Sequence, residues 1–80
     1  MPVKTEKMEH TTTGQRLKAC RERLEMSQSE LARRSGVDRV YIVRLESGER
    51  QEISLRLASA LAETLQISLD YLAGRTNVMV

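Results

Sequence analysis

Two short helices joined by a tight turn are predicted by residues 27–48, which read SQSELARRSGVDRVYIVRLESG. Ser27 is a favoured N-cap residue, and Glu30 three positions later completes the pattern of a reciprocal capping box. Gly36 tolerates the positive φ that follows many helix ends, and Asp38 is placed to cap the next helix. The stretch therefore predicts a first helix, a sharp turn and a second helix.

Three further helices are expected around this pair. Thr12 and Gln15 form a second capping-box pattern, and Ser54 and Ser68 precede apolar residues at helical spacing. No strand-like alternation of useful length occurs, so we expect an all-α fold of five helices. Their expected ranges are 13 to about 25, 28–35, 39–47, about three turns after Ser54, and a short helix between Ser68 and Gly74.

The length of 80 residues supports one small domain. We expect residues 1–12 to form a flexible tail, because they are polar, mixed in charge and without helical period. Residues 13–74 are expected to form the folded domain. Residues 75–80 are expected to be a C-terminal tail, whose apolar end either frays in solvent or helps to cover a partner subunit.

Several classes of function are disfavoured by composition. The chain has one cysteine, Cys20, and one histidine, His10, so neither a disulfide nor a bound metal or other cofactor is indicated. Cys20 and Met26 are expected in the core. No nucleophile–histidine set or carboxylate pair suggests an enzyme. No apolar run of 18 residues or signal peptide occurs, which predicts a soluble cytoplasmic protein without membrane association.

Charge and aromatic content favour duplex DNA as a partner. Residues 14–50 contain nine Lys or Arg against six Asp or Glu, although the formal net charge of the chain is only +2. A basic surface of this kind supports binding to nucleic acid. The chain has two tyrosines and neither Phe nor Trp, which disfavours the base stacking used by single-strand binders.

The second helix of the pair has a polar face suited to reading bases. If Ile42 and Leu45 pack inward, the positions that project outward at 3.6 residues per turn are Arg39, Val40, Val43, Arg44 and Ser47. A glycine-containing turn between two short helices is typical of the helix-turn-helix, whose second helix enters the major groove. Arginine can donate two hydrogen bonds to guanine, and valine can contact a thymine methyl group. We therefore predict base contacts from Arg39, Val40 and Arg44.

An ordered set of motifs resembles the lambda-repressor-like, or Xre-type, helix-turn-helix family. The resemblance covers residues 14–74. It rests on Leu17 to Arg21, SQSELA, Gly36-Val37, Ile42-x-x-Leu45-Glu46-x-Gly48, LRLASAL and ISLDYL. It implies a sequence-specific transcriptional repressor or activator that binds a palindromic site on duplex DNA as a homodimer, with the third helix in the major groove.

The resemblance also implies roles for individual residues. Gln28 matches a glutamine that contacts phosphate, and its place in the first turn of a helix suits that role. Ser27, Tyr41 and Arg50 are predicted as further phosphate contacts. Base-reading positions match Arg39, Val40 and Arg44. A structural ion pair is implied between Arg21 and Glu46.

Some alternatives stay open on the sequence. Val40 and Val43 are aliphatic where many relatives carry hydrogen-bonding side chains, so the operator sequence is not predicted. The segment 38–42 is similar to that of small controller proteins of restriction-modification systems. A module that keeps this fold but binds a protein, as an antitoxin or a coactivator-like adaptor does, is the alternative function. Leu69 and Tyr71 either form a dimer surface or close the core.

Overall fold

The computed structural model describes residues 12–79, so residues 1–11 of the predicted tail 1–12 lie outside the described part. Five helices account for most of these residues, and none of them is long and apolar enough to cross a membrane. They are α1 (Thr13–Arg23), α2 (Gln28–Ser35), α3 (Arg39–Ser47), α4 (Leu55–Leu65) and α5 (Leu69–Ala73). The all-α prediction with five helices is confirmed.

Each helix begins after a side chain that accepts a hydrogen bond from the first turn; these caps are Thr12, Ser27, Asp38, Ser54 and Ser68. At Thr12 both halves of the capping box form, because its backbone N–H also donates to Gln15 Oε1 at 2.9 Å. The second predicted box forms only in part. Ser27 Oγ accepts from the amide of Glu30, but the Glu30 carboxylate pairs with Arg33 and Arg34 instead of reaching back.

The first helix ends two residues before the predicted boundary. The chain turns at Glu25, which has φ of 58°, and the amide of Met26 donates to the carbonyl of Arg21 at 3.1 Å. Glu25 N–H also donates to the carbonyl of Glu22, which completes the pair of bonds of a Schellman motif. This motif commonly has glycine at the left-handed position. Glu25 occupies that position here, so the sequence contains no glycine to mark the end of α1 at Arg23.

The helices enclose one apolar core. Helix α1 packs against α3 and α5, α2 packs against α3 and α4, and α4 packs against α5. Cys20 and Met26 lie in this core, as predicted. The fully buried side chains of largest volume come from all five helices and from the turn before α3: Leu17, Leu31, Val37, Ile42, Leu45, Leu61, Leu65 and Leu72. This shared core fixes α3 relative to the other helices.

The C-terminal residues partly join this core. Tyr71 is 3% exposed, so it closes the core and does not form a dimer surface by itself. Leu69 is only half-buried. Beyond Gly74, Met79 packs against the core, and its carbonyl accepts a hydrogen bond from the amide of Ser68 at 2.6 Å. Met79 therefore contacts the domain, whereas Val78 is 61% exposed.

Candidate nucleic-acid interface

Helix α3 exposes the face that the sequence predicted. Ile42 and Leu45 are buried, whereas Arg39, Val40 and Arg44 are exposed. Val40 is 51% exposed, which is unusual for an aliphatic side chain in a domain that buries most of its large apolar residues. The three predicted base-contacting side chains therefore share an accessible surface. Arg44 is held only loosely, with its Nε 3.9 Å from a carboxylate oxygen of Glu49.

The αL turn before α3 sets the position of Arg39. Gly36 has φ of 78° and ends α2, and Val37 is buried against the core. Asp38 Oδ1 then accepts a hydrogen bond from the amide of Val40 at 3.0 Å and so caps α3, whose first residue is Arg39. Because only two residues separate Gly36 from Arg39, the turn leaves little freedom in the angle between α2 and α3. Arg39 thus lies in the first turn of α3, at the exposed end of the helix.

One side of α3 borders a cleft of about 320 Å³ that brings Tyr41 and Arg50 together. The guanidinium of Arg50 stacks on the Tyr41 ring, 4.7 Å from its centre. The Tyr41 hydroxyl donates its single proton to the carbonyl of Glu52 at 3.3 Å. A phosphate near Tyr41 would have to compete for that proton. Arg50, with five N–H donors, is the stronger anion-binding group of the two.

The other side of α3 borders a second cleft, of about 430 Å³, where Gln28 and Glu46 meet. Gln28 Nε2 donates to Glu46 Oε1 at 3.0 Å, so one N–H of the amide is engaged and the other remains available. Lys18 also lines this cleft and is exposed. No sequence motif predicted a role for Lys18. Ser27, the cap of α2, is exposed and uses its oxygen as acceptor, which leaves its hydroxyl proton available.

Glu46 joins α3 to α1 through an ion pair with Arg21. Arg21 Nε and Nη2 donate to the two carboxylate oxygens at 2.8 and 2.9 Å, and Nη1 donates to the carbonyl of Met26 at 2.7 Å. The hydrogen bonds to Glu46 raise the pKa of Arg21 above its ordinary value. Both side chains are at most 10% exposed. The pair therefore holds α3 against α1, and through Glu46 it also holds Gln28.

Two residues of α1 for which the sequence predicted no role support this arrangement. Gly14 lies so close to the backbone of Leu45 that a side chain at position 14 would overlap the Leu45 carbonyl. Arg16 is 3% exposed and stacks over the Tyr71 ring, 5.1 Å from its centre. Arg16 was counted in the basic excess of residues 14–50, but a buried arginine adds little to the charge that an approaching partner meets. The only sequence signal for this contact is the presence of a glycine in the first turn of α1.

Residues 12–79 contain no group of three His, Cys, Asp or Glu side chains placed to hold a metal ion. Cys20 is buried, and burial raises the pKa of its thiol. A buried thiol with a raised pKa is poor in the reactive thiolate form.

Comparisons with known proteins agree with this geometry. A family model described as helix-turn-helix matches residues 17–72, well over half of the chain. Among solved structures, the chain is similar to the P22 c2 repressor protein, whose crystal structure is in complex with synthetic operator 9T in the presence of Tl+. The two are 32% identical, and the match has a TM-score of 0.74 and covers 82% of this chain and 98% of the repressor chain. No curated protein sequence gives a significant match.

These matches extend over the segment that carries the capped pair α2 and α3 and the core around it. The chain belongs to the lambda-repressor-like, or Xre-type, helix-turn-helix family.

Proposed function

We propose that this protein is a sequence-specific transcriptional regulator that binds duplex DNA with α3 in the major groove. The observation that carries the proposal is the exposed face of α3, where Arg39, Val40 and Arg44 are accessible while Glu46, at the border of that face, joins the helix to Arg21 of α1. The similarity to a repressor structure determined with its operator supports it. A helix held rigidly by a buried core is suited to read base edges.

The proposed base contacts follow from the chemistry of the exposed side chains. Arg39, in the first turn of α3, donates to O6 and N7 of a guanine. Arg44, about one and a half turns further, reaches a second base or a phosphate. Val40 contacts a thymine methyl group. Each well-placed bidentate contact is worth about 1 to 3 kcal/mol against a wrong base.

The proposed phosphate contacts lie on both sides of α3. A helix in the major groove is flanked by the two sugar–phosphate backbones, so groups in both clefts can meet phosphate. Gln28 and Ser27 lie on one side, at the N-terminus of α2, where free amides also favour an anion. Arg50 and Tyr41 lie on the other side. These contacts would set the register of the protein on the duplex without reading sequence.

We further propose a homodimer that occupies a palindromic site, as a repressor or as a small controller-type regulator in the cytoplasm. Two copies of α3 would then meet half-sites about 34 Å apart, one turn of B-DNA. No enzyme activity and no cofactor are part of the proposal. The basic excess in residues 14–50 is consistent with DNA as the partner.

The test is selection from a randomised duplex pool followed by binding titrations at several salt concentrations. We expect a palindromic site to be enriched. The variant Arg39→Ala should lose about 1 to 3 kcal/mol at one base position and relax the preference there. Gln28→Ala should weaken all sites alike, and each lost phosphate contact should reduce the slope of log K against log salt by about 0.9.

Arg33→Ala is the matched control for Arg39→Ala. Arg33 is an exposed arginine on α2 that pairs with Glu30 and lines neither cleft beside α3. It should bind the selected site almost as the parent does. If no sequence is enriched and Arg39→Ala binds like Arg33→Ala, α3 does not read DNA. The protein-binding module would then be the better account.

A further inference from the structure

The exposed face of α3 carries aliphatic side chains between its arginines. Val40 is 51% exposed, and Val43, about one turn later, is half-buried at the border of the cleft that contains Gln28. A valine side chain neither donates nor accepts a hydrogen bond. A base that faces Val40 is therefore recognised only through an apolar group on its edge.

The major groove presents one such apolar group, the methyl group at C5 of a pyrimidine. Thymine carries it and unmodified cytosine does not, but cytosine methylated at C5 carries a methyl group at the same ring position. The two methylated pyrimidines differ beside it, since thymine has the O4 acceptor and cytosine the N4 donor. Val40 has no polar atom to tell these apart. Its contact thus responds to the methyl group and not to the base that carries it.

Arg44 is placed to read the neighbouring base. It follows Val40 by four residues, so the two side chains are neighbours on the helix surface, and both line the cleft of about 320 Å³. The ion pair of Arg44 with Glu49 is long, at 3.9 Å, and both side chains are more than half exposed, so the guanidinium is accessible. Successive bases of one strand are about 3.4 Å apart, a step that the long side chain of Arg44 spans from its position beside Val40.

The two side chains suit a methylated pyrimidine that is followed by guanine. The guanidinium of Arg44 donates two hydrogen bonds to O6 and N7 of the guanine. The methylene groups of an arginine cover apolar surface while its charged end stays polar, so the stem of Arg44 and the side chain of Val40 together enclose the methyl group. A cytosine without the methyl group leaves this apolar surface uncovered.

We propose that Val40 and Arg44 together read a methylated pyrimidine followed by guanine, so that methylation of cytosine at C5 turns a weakly bound cytosine–guanine step into a well-bound one. The proposal rests on the proposed function and deepens it in two respects. It assigns Arg44 to a guanine, and it gives the regulator a response to DNA methylation. The ligand class is duplex DNA that carries 5-methylcytosine.

Selection from two randomised duplex pools tests the proposal, one with unmodified cytosine and one with every cytosine methylated at C5. The first pool should yield a thymine–guanine step in each half-site. The second should yield thymine–guanine or cytosine–guanine at the same position. Titrations then compare thymine with deoxyuracil and methylated with unmodified cytosine at that position. Both affinity ratios should be about fourfold in each half-site, the value of burying one methyl group.

Protein variants assign the effect to the two side chains. Val40→Ala should bring both ratios close to one. Arg44→Lys keeps the charge without the planar fork, so its preference for the guanine should fall about tenfold while the salt dependence is unchanged. Arg50→Ala is the matched control, because Arg50 lines the same cleft but is proposed to contact phosphate. It should weaken binding to all duplexes alike and leave both ratios as in the parent.

Duplexes methylated on one strand supply a control in the DNA. Methylation of the cytosine that precedes the guanine read by Arg44 should raise the affinity. Methylation of the cytosine that pairs with this guanine should not, because its methyl group lies on the other strand. A general effect of methylation on the shape of the duplex would not depend on the strand in this way.

The proposal is overturned if the enriched sites contain no pyrimidine–guanine step, if cytosine methylation does not raise the affinity, if Val40→Ala keeps the ratios, or if Arg44→Lys keeps the preference for guanine. Enrichment of a site without any effect of methyl groups would leave DNA reading intact and remove this inference alone. Failure of both pools to yield a site would remove the proposed function and this inference with it.

Discussion

The carbonyl oxygen of Leu45 lies in the space that a side chain at Gly14 would occupy. The first turn of α1 and the last turn of α3 are thus in close backbone contact. The Arg21–Glu46 ion pair lies about two turns further along α1 and involves the residue after Leu45 in α3. Together, the two contacts fix the distance and the rotation of α3. The helix proposed to read DNA is therefore positioned by α1, which carries none of the proposed base contacts.

Gly14→Ala should destabilise the domain by about 1 to 3 kcal/mol or more, because the added methyl group meets backbone that cannot move aside. Alanine is otherwise the better helix former by about 1 kcal/mol, so the sign of the change is diagnostic. Urea unfolding measures it. Ala19→Ser, which adds one atom at an exposed position of the same helix, should change stability by less than about 0.5 kcal/mol. A stabilised Gly14→Ala variant would show that α1 and α3 do not touch there.

Removing either member of the Arg21–Glu46 pair should lower the free energy of unfolding by about 3 to 5 kcal/mol, since the remaining charge would be buried without its partner. Arg34→Ala removes a member of an exposed pair with Glu30 and should cost less than about 1 kcal/mol. Chemical denaturation of Arg21→Ala, Glu46→Ala and Arg34→Ala compares them directly. Equal losses of unfolding free energy in all three variants would mean that burial of the Arg21–Glu46 pair adds nothing to stability.

Val40 should make DNA binding sensitive to a thymine methyl group. Replacing thymine by deoxyuracil at the contacted position removes only that methyl group, and burial of one such group is worth about 0.8 kcal/mol. The parent should lose about that amount, whereas Val40→Ala should bind both duplexes with nearly equal affinity. Titrations of the two proteins on the two duplexes form a double-mutant cycle. A loss that is the same for parent and Val40→Ala would place the methyl contact elsewhere.

Alkaline pH should destabilise the fold through Tyr71. Burial raises the pKa of its phenol, so the folded chain holds this proton more tightly than the unfolded chain does. The resulting stability is fully present below the ordinary tyrosine pKa of about 10 and is lost as pH rises through the higher folded value. Cys20, whose thiol pKa is also raised by burial, begins to contribute to the loss at a lower pH, above about 8.5.

Urea unfolding as a function of pH tests this expectation. Tyr71→Phe keeps the ring that Arg16 stacks on but has no phenol proton, so its stability should fall less steeply above about pH 10. Tyr41→Phe retains Tyr71 and should follow the parent. The same slope in Tyr71→Phe as in the parent would exclude ionisation of Tyr71 as the cause.

Local signals in the sequence predicted much of the fold. Caps at Thr12, Ser27, Asp38, Ser54 and Ser68 and glycines with positive φ at Gly36 and Gly48 located helix ends, because these effects act within a few residues of the chain. The same reasoning misplaced the end of α1, where the left-handed position is filled by a glutamate. The predicted capping bond from Glu30 also does not form, because its carboxylate pairs with two arginines that lie within about one turn of the helix.

Helical period likewise identified the outward face of α3, since a helix has a fixed 3.6 residues per turn and its buried positions imply the exposed ones. It could not show that Arg16 is buried, that Gln28 shares Glu46 with Arg21, or that Lys18 stands in the same cleft as Gln28. Each of these depends on the approach of α1 to other helices. A periodic pattern contains no information about which helix lies opposite.

The sequence by itself therefore determined the number of helices, nearly all of their ends and the face of α3 that is offered to a partner, because caps, turns and periodicity are short-range properties. Only the tertiary structure decided how that face is held. The contact of Gly14 with Leu45 and the carboxylate of Glu46 shared by Arg21 and Gln28 join residues that are distant along the chain. The physical reason is that packing depends on which surfaces the folded helices bring together.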